Sequence, residues 1–385
     1  MKNDYDVVIV GGGIAGLTLA DQLSRRQISL ALYQPLSGPR SSDVAAGMLA
    51  PSSEITFFAP DEAALFLEAR SYWDDFAPWL EREAATKIYF DETGTLLIAA
   101  TPGDLQDLKR THDFLQGLGI ELEPLTLAQT RTLEPSIAPR LAGALRSKID
   151  VQVDNRSVLV ALDAVVRDRG VTVRDAQVTL LSFHDHVWSV TDDLATTVTA
   201  SKVVVSTGAA DLSLLLGEAM LSRLEIPKVR GVKGDILRLK PTIGFEGPLH
   251  VLRSIVEGRW SYIVPRSHGE IVVGASMEER PPGQGPRVGA VFELLRDSTT
   301  IVPELRETEL FEVRTGYRPA TADARPLVGA TGVEGLYLNT AHFRHGFLLA
   351  PYTSYLLAEM IAEERGALSA YDDMVKPQRR PNTVS

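Results

Sequence analysis

The 385-residue chain carries 39 Lys and Arg against 50 Asp and Glu, a formal charge of -11, and is 44% hydrophobic and 23% charged. That balance is close to the average of soluble globular proteins and excludes disordered, collagenous, coiled-coil and low-complexity chains, while the length suggests two or three domains at roughly 150 residues each. The absence of cysteine excludes disulfides, thiolate nucleophiles and Cys-ligated metals, and the lack of a polybasic window argues against nucleic acid.

The N-terminal MKNDYD carries two acids before the apolar run VVIVGGGIAGLTLA. Glycines interrupt that run, so it reads as neither signal peptide nor membrane span, and no other stretch reaches ~18 uninterrupted apolar residues. The expectation is a soluble, cytoplasmic protein. Val7 to Val10 predicts a strand, Ile14 to about Arg26 a helix, and Ile28 to Tyr33 a second strand. Between strand and helix, Gly11, Gly13 and Gly16 form G-x-G-x-x-G. The first permits a tight turn, the second lets a pyrophosphate approach the backbone, and the third lets helix and strand pack closely, with the anion at the helix start beside Ile14 and Ala15. The fingerprint alone does not separate NAD from FAD. At the end of the second strand, where an acid normally holds an adenosine ribose, stands Gln34, which can accept a hydroxyl hydrogen bond only without charge assistance.

Further on, Lys87 to Ala100 reads as a hairpin around Asp-Glu-Thr-Gly, and Lys202 to Ser206 and Gly335 to Asn339 read as strands, the latter leading to a helix from about Gly346 to Glu363. One sheet is expected to draw on the first, middle and last of these segments. After Pro227 the runs Gly234 to Leu239, Trp260 to Val264 and Glu270 to Ala275 predict an antiparallel sheet, Glu279 to Arg287 a surface loop, and the chain after Asp373 a flexible tail. His184 and His186 read as a hairpin turn, since no third ligand at metal spacing is visible, and neither a Gly-x-Ser-x-Gly elbow nor a P-loop occurs. The expected architecture is mixed α/β: a Rossmann-type dinucleotide-binding domain from 1–82, 143–218 and 310–372, a substrate domain from 83–142 and 219–309, and a tail from 373–385.

The segment RSSDVAAGMLAP (Arg40 to Pro51) resembles the flavin-approaching segment of the thiamine-pathway glycine-oxidase branch of the D-amino-acid-oxidase family of FAD enzymes. SYIVPR (Ser261 to Arg266), VVGASM (Val272 to Met277), GYRPATADARPLVG (Gly316 to Gly329) and AHFRHGFLLAP (Ala341 to Pro351) follow in the family's order, so the likeness spans nearly the whole chain. Gln34 departs from the family's usual Glu, Ser206 and Ala210 from its Ala and Trp, and His345 from its Asn.

The resemblance implies noncovalent FAD, consistent with the missing cysteine. It implies Arg318 as the carboxylate-binding arginine, able to make two parallel charge-assisted hydrogen bonds, and Tyr262 as the second carboxylate partner. Met48 and Met277 are implied to line a pocket for a small side chain, and Arg344 to sit near flavin and substrate entrance. Read without the family, Arg318 in a structural ion pair with Asp323 or Glu312, Tyr262 as a strand aromatic and the methionines as core residues remain open. The implied cofactor contacts are Ser41, Ser42, Ala45, Ala46, Gly47 and Met48, then Val178 at the adenine, Thr207 and Gly208 near the dinucleotide, Arg318, and the helix-start residues His345, Gly346, Phe347 and Leu348.

The implied activity is oxidation of glycine or another small amino acid, with imine hydrolysis and dioxygen reduced to hydrogen peroxide. The implied partners are the small amino-acid substrate and dioxygen, a homo-oligomeric copy, and a functional link to a thiazole synthase. A D-amino-acid or sarcosine oxidase or dehydrogenase, and more distantly a noncatalytic FAD-binding protein, stay open.

Overall fold

The computed structural model describes residues 3–35, 40–281, 283–363 and 371–379. The strand Tyr5–Val10 alternates faces as a pleated strand must. Val7 and Ile9 pack into one apolar cluster with Leu17, Trp73 and Leu349, whereas Val8 and Val10 pack into another with Trp188, Leu215 and Leu338. Covering on both faces is what a parallel sheet of near-continuous apolar strands requires.

Among the described residues this first sheet has eight strands. Its main path runs Leu327–Ala330, Leu336–Thr340, Thr197–Val205, Tyr5–Val10, Leu30–Tyr33, Thr172–Arg174. Pairing is parallel from Leu336–Thr340 to Thr172–Arg174. An antiparallel pair, Val178–His184 and Val187–Asp192, attaches along Thr197–Val205. The N-terminal, middle and late segments thus share a sheet as expected. Helices Ile14–Ser24, Ala63–Ala84, Asn155–Asp168 and Gly346–Glu363 cover one face, and none in the described residues is long and apolar enough to cross a membrane.

The second sheet runs Glu309–Ala320, Arg230–Lys240, Ile271–Gly274, Arg259–Pro265, Val251–Val256, Thr95–Ala99, Gly143–Ser147, Glu123–Leu125. A two-stranded ribbon, Met48–Leu49 with Val151–Gln152, lies between the large sheets in sequence and carries Met48.

Three expectations are corrected. Lys87 to Ala100 is not a hairpin: only Thr95–Ala99 is a strand, and it pairs with Gly143–Ser147 and Val251–Val256, while Asp91 bridges to Gln152. Long-range partners with matching apolar faces override the local turn signal. The second sheet is antiparallel except where Thr95–Ala99 meets Val251–Val256 in parallel, because the two strands come from distant chain segments rather than from one meander. The chain after Asp373 is anchored as far as it is described. Arg379 is buried, pairs with Asp323 through hydrogen bonds of 2.8 and 2.9 Å, and donates to the Pro326 carbonyl at 2.7 Å; residues 380–385 lie outside the described residues. The turn joining His184 to Val187 is formed by Asp185 and His186, at φ 50 and 63°, a two-residue turn suited to strand twist. The described residues hold no cluster of three metal-ligating side chains.

Candidate active site

A cavity of about 1220 Å³ runs from the glycine turn to the second sheet. At one end Gly11 turns at φ 113°, a conformation that disfavours side chains, and a Cβ there would lie 2.4 Å from the Ser206 carbonyl oxygen. A Cβ on Gly16 would lie 1.8 Å from the Gly11 oxygen, so the third glycine sets the helix against the turn. The start of helix Gly346–Glu363 lies nearby, with Gly346 facing Ile14. Two helix N-termini therefore converge on the cavity, each presenting amides and positive dipole. Several buried polar atoms of this arm have no partner: Tyr33 Oη, Gln34 Oε1, Ser206 Oγ and Thr207 Oγ1. Unsatisfied buried polar atoms along a cleft are a strong sign of a polar occupant, and together with the glycine turn they fit a dinucleotide.

The middle of the cavity is lined by Ser41, Ser42 and Val44 to Met48. Residues the sequence reading missed hold this segment. Asn155 Nδ2 donates to the carbonyls of Ser42 (2.8 Å) and Asp43 (3.2 Å). Arg266 Nη2 donates to Ala46 O at 2.6 Å and Nη1 to Val153 O at 2.7 Å. Burial pushes the Arg266 guanidinium down to about 10. Ser42 Oγ accepts from the Ile14 amide at 3.0 Å, and the Ser41 hydroxyl donates to Tyr317 O at 2.5 Å, so both hydroxyls knit the segment to its surroundings.

At the far end, one face of the second sheet presents the charged groups. Cross-strand register places Arg253, Tyr262, Gly274 and Ile236 in one row, with Gly234, Gly316 and Arg318 beside them. Glycine is required under the functional side chains. A Cβ on Gly234 would sit 2.4 Å from Arg318 Nη1, and one on Gly274 2.4 Å from the Tyr262 hydroxyl. Arg318 donates to Ser276 O at 3.1 Å and has no carboxylate partner among the described residues. The ion-pair alternatives are taken elsewhere, Asp323 by Arg379 and Glu312 by Arg156, Arg238 and Arg314. Burial pushes Arg318 below its ordinary value and Tyr262 above its own, the neighbouring guanidiniums opposing the latter. Arg318 stays a cation and Tyr262 a neutral donor.

Arg344 lies nearby and pairs with Glu54 at 2.9 Å. Glu54 also binds Arg253 and accepts from His345 Nε2 at 3.3 Å. Burial opposes ionisation of Glu54, but Arg253 and Arg344 overcome it and hold the carboxyl well below its ordinary range. No sequence motif singled out Glu54 or Arg253. Trp260 stacks on Arg253 at 5.2 Å.

Gly11, Gly13, Ile14, Ala15, Ser41, Ser42, Ala45 to Met48, Val178, Thr207, Gly208, Tyr262, Met277, Arg318 and Arg344 to Leu348 all line this one cavity. Gly16 and Gln34 are not among the residues that line it. Met277 is 62% exposed, so its thioether stands at the rim rather than inside.

The sequence profile of the FAD dependent oxidoreductase family, DAO, matches residues 6–360. A glycine oxidase from Geobacillus kaustophilus is 28% identical over 95% of this chain and 95% of its own length. The bifunctional protein ThiO/ThiG of Nostoc is 27% identical over 98% of this chain, which spans 56% of that protein. The crystal structure of glycine oxidase from Geobacillus kaustophilus superposes with a TM-score of 0.88 at 26% identity, covering 98% of this chain and 100% of that one.

Proposed function

This chain belongs to the DAO family of FAD-dependent oxidoreductases, and from that premise we propose that it oxidises glycine or another small amino acid at carbon α. The observation that carries the reading is the Arg318 guanidinium, free of any described carboxylate and laid over Gly234 beside the Tyr262 hydroxyl.

FAD is the family's cofactor. The glycine turn with Ile14 and Ala15 would hold its pyrophosphate, Val178 its adenine end, the 41–48 segment with Thr207 and Gly208 its length, and the His345 to Leu348 helix start its ring end. Bound there, FAD would supply the redox chemistry, a two-electron oxidation of the amine with dioxygen as the final acceptor and hydrogen peroxide as its product. Arg318 binds the substrate carboxylate through two N–H donors and Tyr262 adds an O–H donor, which fixes carbon α relative to the ring. Glu54 stays ionised and keeps Arg344 and Arg253 engaged, so the substrate carboxylate meets Arg318 first. With the amine bound neutral, no side-chain base is required, and the imine product hydrolyses in water. That imine is also what a thiazole-forming partner would consume, a link supported by the fused ThiO/ThiG relative.

The test is peroxide formation and anaerobic bleaching across glycine, sarcosine, D-alanine and D-proline. Glycine or sarcosine is expected to give the highest kcat/KM. A yellow protein that none of these amines bleaches would overturn the reading in favour of a noncatalytic flavoprotein.

A further inference from the structure

Dinucleotide-binding folds end their second strand with an acid that accepts from the adenosine 2′-hydroxyl. Here the position is Gln34, whose amide can face the ribose with either its acceptor or its donor edge. The structure fixes the choice. Gln34 is buried, and its Nε2 donates to Asp163 Oδ1 at 3.1 Å across 129 residues of sequence. Its Oε1 is left buried and unpartnered, against the glycine turn: a Cβ on Gly12 would fall 2.3 Å from it. Gly12 itself lines the cavity. Reversing the amide would set its carbonyl against the Asp163 carboxylate, acceptor against acceptor. Asp163 is steadied in turn by Arg167 Nε, which donates to Oδ2 at 2.7 Å.

We propose that Asp163, on helix Asn155–Asp168, is a positioning residue for the cofactor's adenosine ribose. It holds Gln34 so that the amide oxygen takes over the acceptor role that a carboxylate has elsewhere. The negative charge has moved one side chain outward, and the hydroxyl acceptor remains. The proposal rests on the family's cofactor and not on the substrate, so it stands or falls separately from amino-acid oxidation.

The test titrates deflavinated protein with FAD and with an FAD analogue lacking the adenosine 2′-hydroxyl, read by quenching of flavin fluorescence. One neutral hydrogen bond corresponds to about a fivefold preference of the native protein for FAD over the analogue. Asp163→Ala is expected to bind the two within a factor of two, because the freed amide no longer presents its oxygen. The exchange variant Gln34→Glu with Asp163→Gln is expected to restore the preference to at least the native value. Arg167→Met separates loss of Asp163 from loss of the pair beside it and is expected to keep the preference. A native protein that does not distinguish the ligands, an Asp163→Ala variant with the full preference, an exchange variant without it, or an Arg167→Met variant that loses it would each overturn the proposal.

Discussion

The two ends of the cavity solve their recognition problems by different means. The dinucleotide arm is organised around one contiguous stretch of backbone, Gly11 to Gly16 with the helix it opens, to which the Gly346 helix start and the side chains of Gln34, Ser206 and Thr207 are added. The carboxylate clamp is built from side chains on separate strands of the second sheet, Arg318 and Tyr262 among them, with Gly234 and Gly274 on the two strands between clearing the space beneath. The backbone part of such a site is local in sequence and tolerant of side-chain change except at its glycines. A side-chain site is dispersed, and its specificity depends on residues that touch no ligand. The arm and the clamp should therefore fail independently.

The largest expected separation is at Arg318. Replacing it with Met removes two charge-assisted hydrogen bonds, each of about 1.5–3 kcal/mol, and should raise the KM for glycine by about 100-fold or more while the affinity for FAD and the flavin spectrum stay as they were. Steady-state kinetics with a parallel FAD titration checks both halves. Gly11→Ala is the converse: with φ 113° and a Cβ 2.4 Å from Ser206 O, it should weaken FAD binding by at least about tenfold and, at saturating FAD, leave the KM within about a factor of two. If cofactor affinity and KM move together in either variant, the two ends are one coupled unit. Gly234→Ala sharpens the point from inside the clamp, since its methyl must displace the Arg318 guanidinium, and a KM rise of roughly tenfold with unchanged FAD affinity is expected. Tyr262→Phe, which deletes one neutral donor, should raise KM about fivefold.

An effect on stability alone lies away from both ends. Burial pushes Glu62 up to about 7 against the Arg325 guanidinium that favours its charge. A raised acid costs stability once ionised, so the penalty is absent below pH ~4.5, grows through the interval to pH ~7, and reaches at most about 3 kcal/mol above it. Glu62→Gln should therefore raise Tm relative to the native chain at pH 8 and not at pH 4.5, measured by thermal unfolding of the holoprotein.

Legibility followed the same division. The strand, glycine turn and helix from Tyr5 to Ser24, and the helix Gly346–Glu363, could be read directly because periodicity and glycine spacing are local signals. Arg318 and Tyr262 were found through family resemblance, not pattern. Glu54, Arg253, Asn155 and Arg266 escaped because a buried polar side chain far from its partner leaves no periodic trace; Arg266 stood inside a quoted motif without its carbonyl partners being inferable. The Lys87 to Ala100 stretch misled for a related reason, its strand being chosen by partners about 50 and 150 residues away.

The strand order of the first sheet bears on how the chain is made. Tyr5–Val10 leaves the ribosome early and can meet Leu30–Tyr33 at once, but its other neighbour, Thr197–Val205, is nearly two hundred residues behind. At about 5–20 residues per second, an apolar edge stays open for roughly 10–40 s of synthesis. Nascent chains of this protein should accordingly engage holding chaperones until that middle strand emerges, and fragments ending before it should be captured rather than fold.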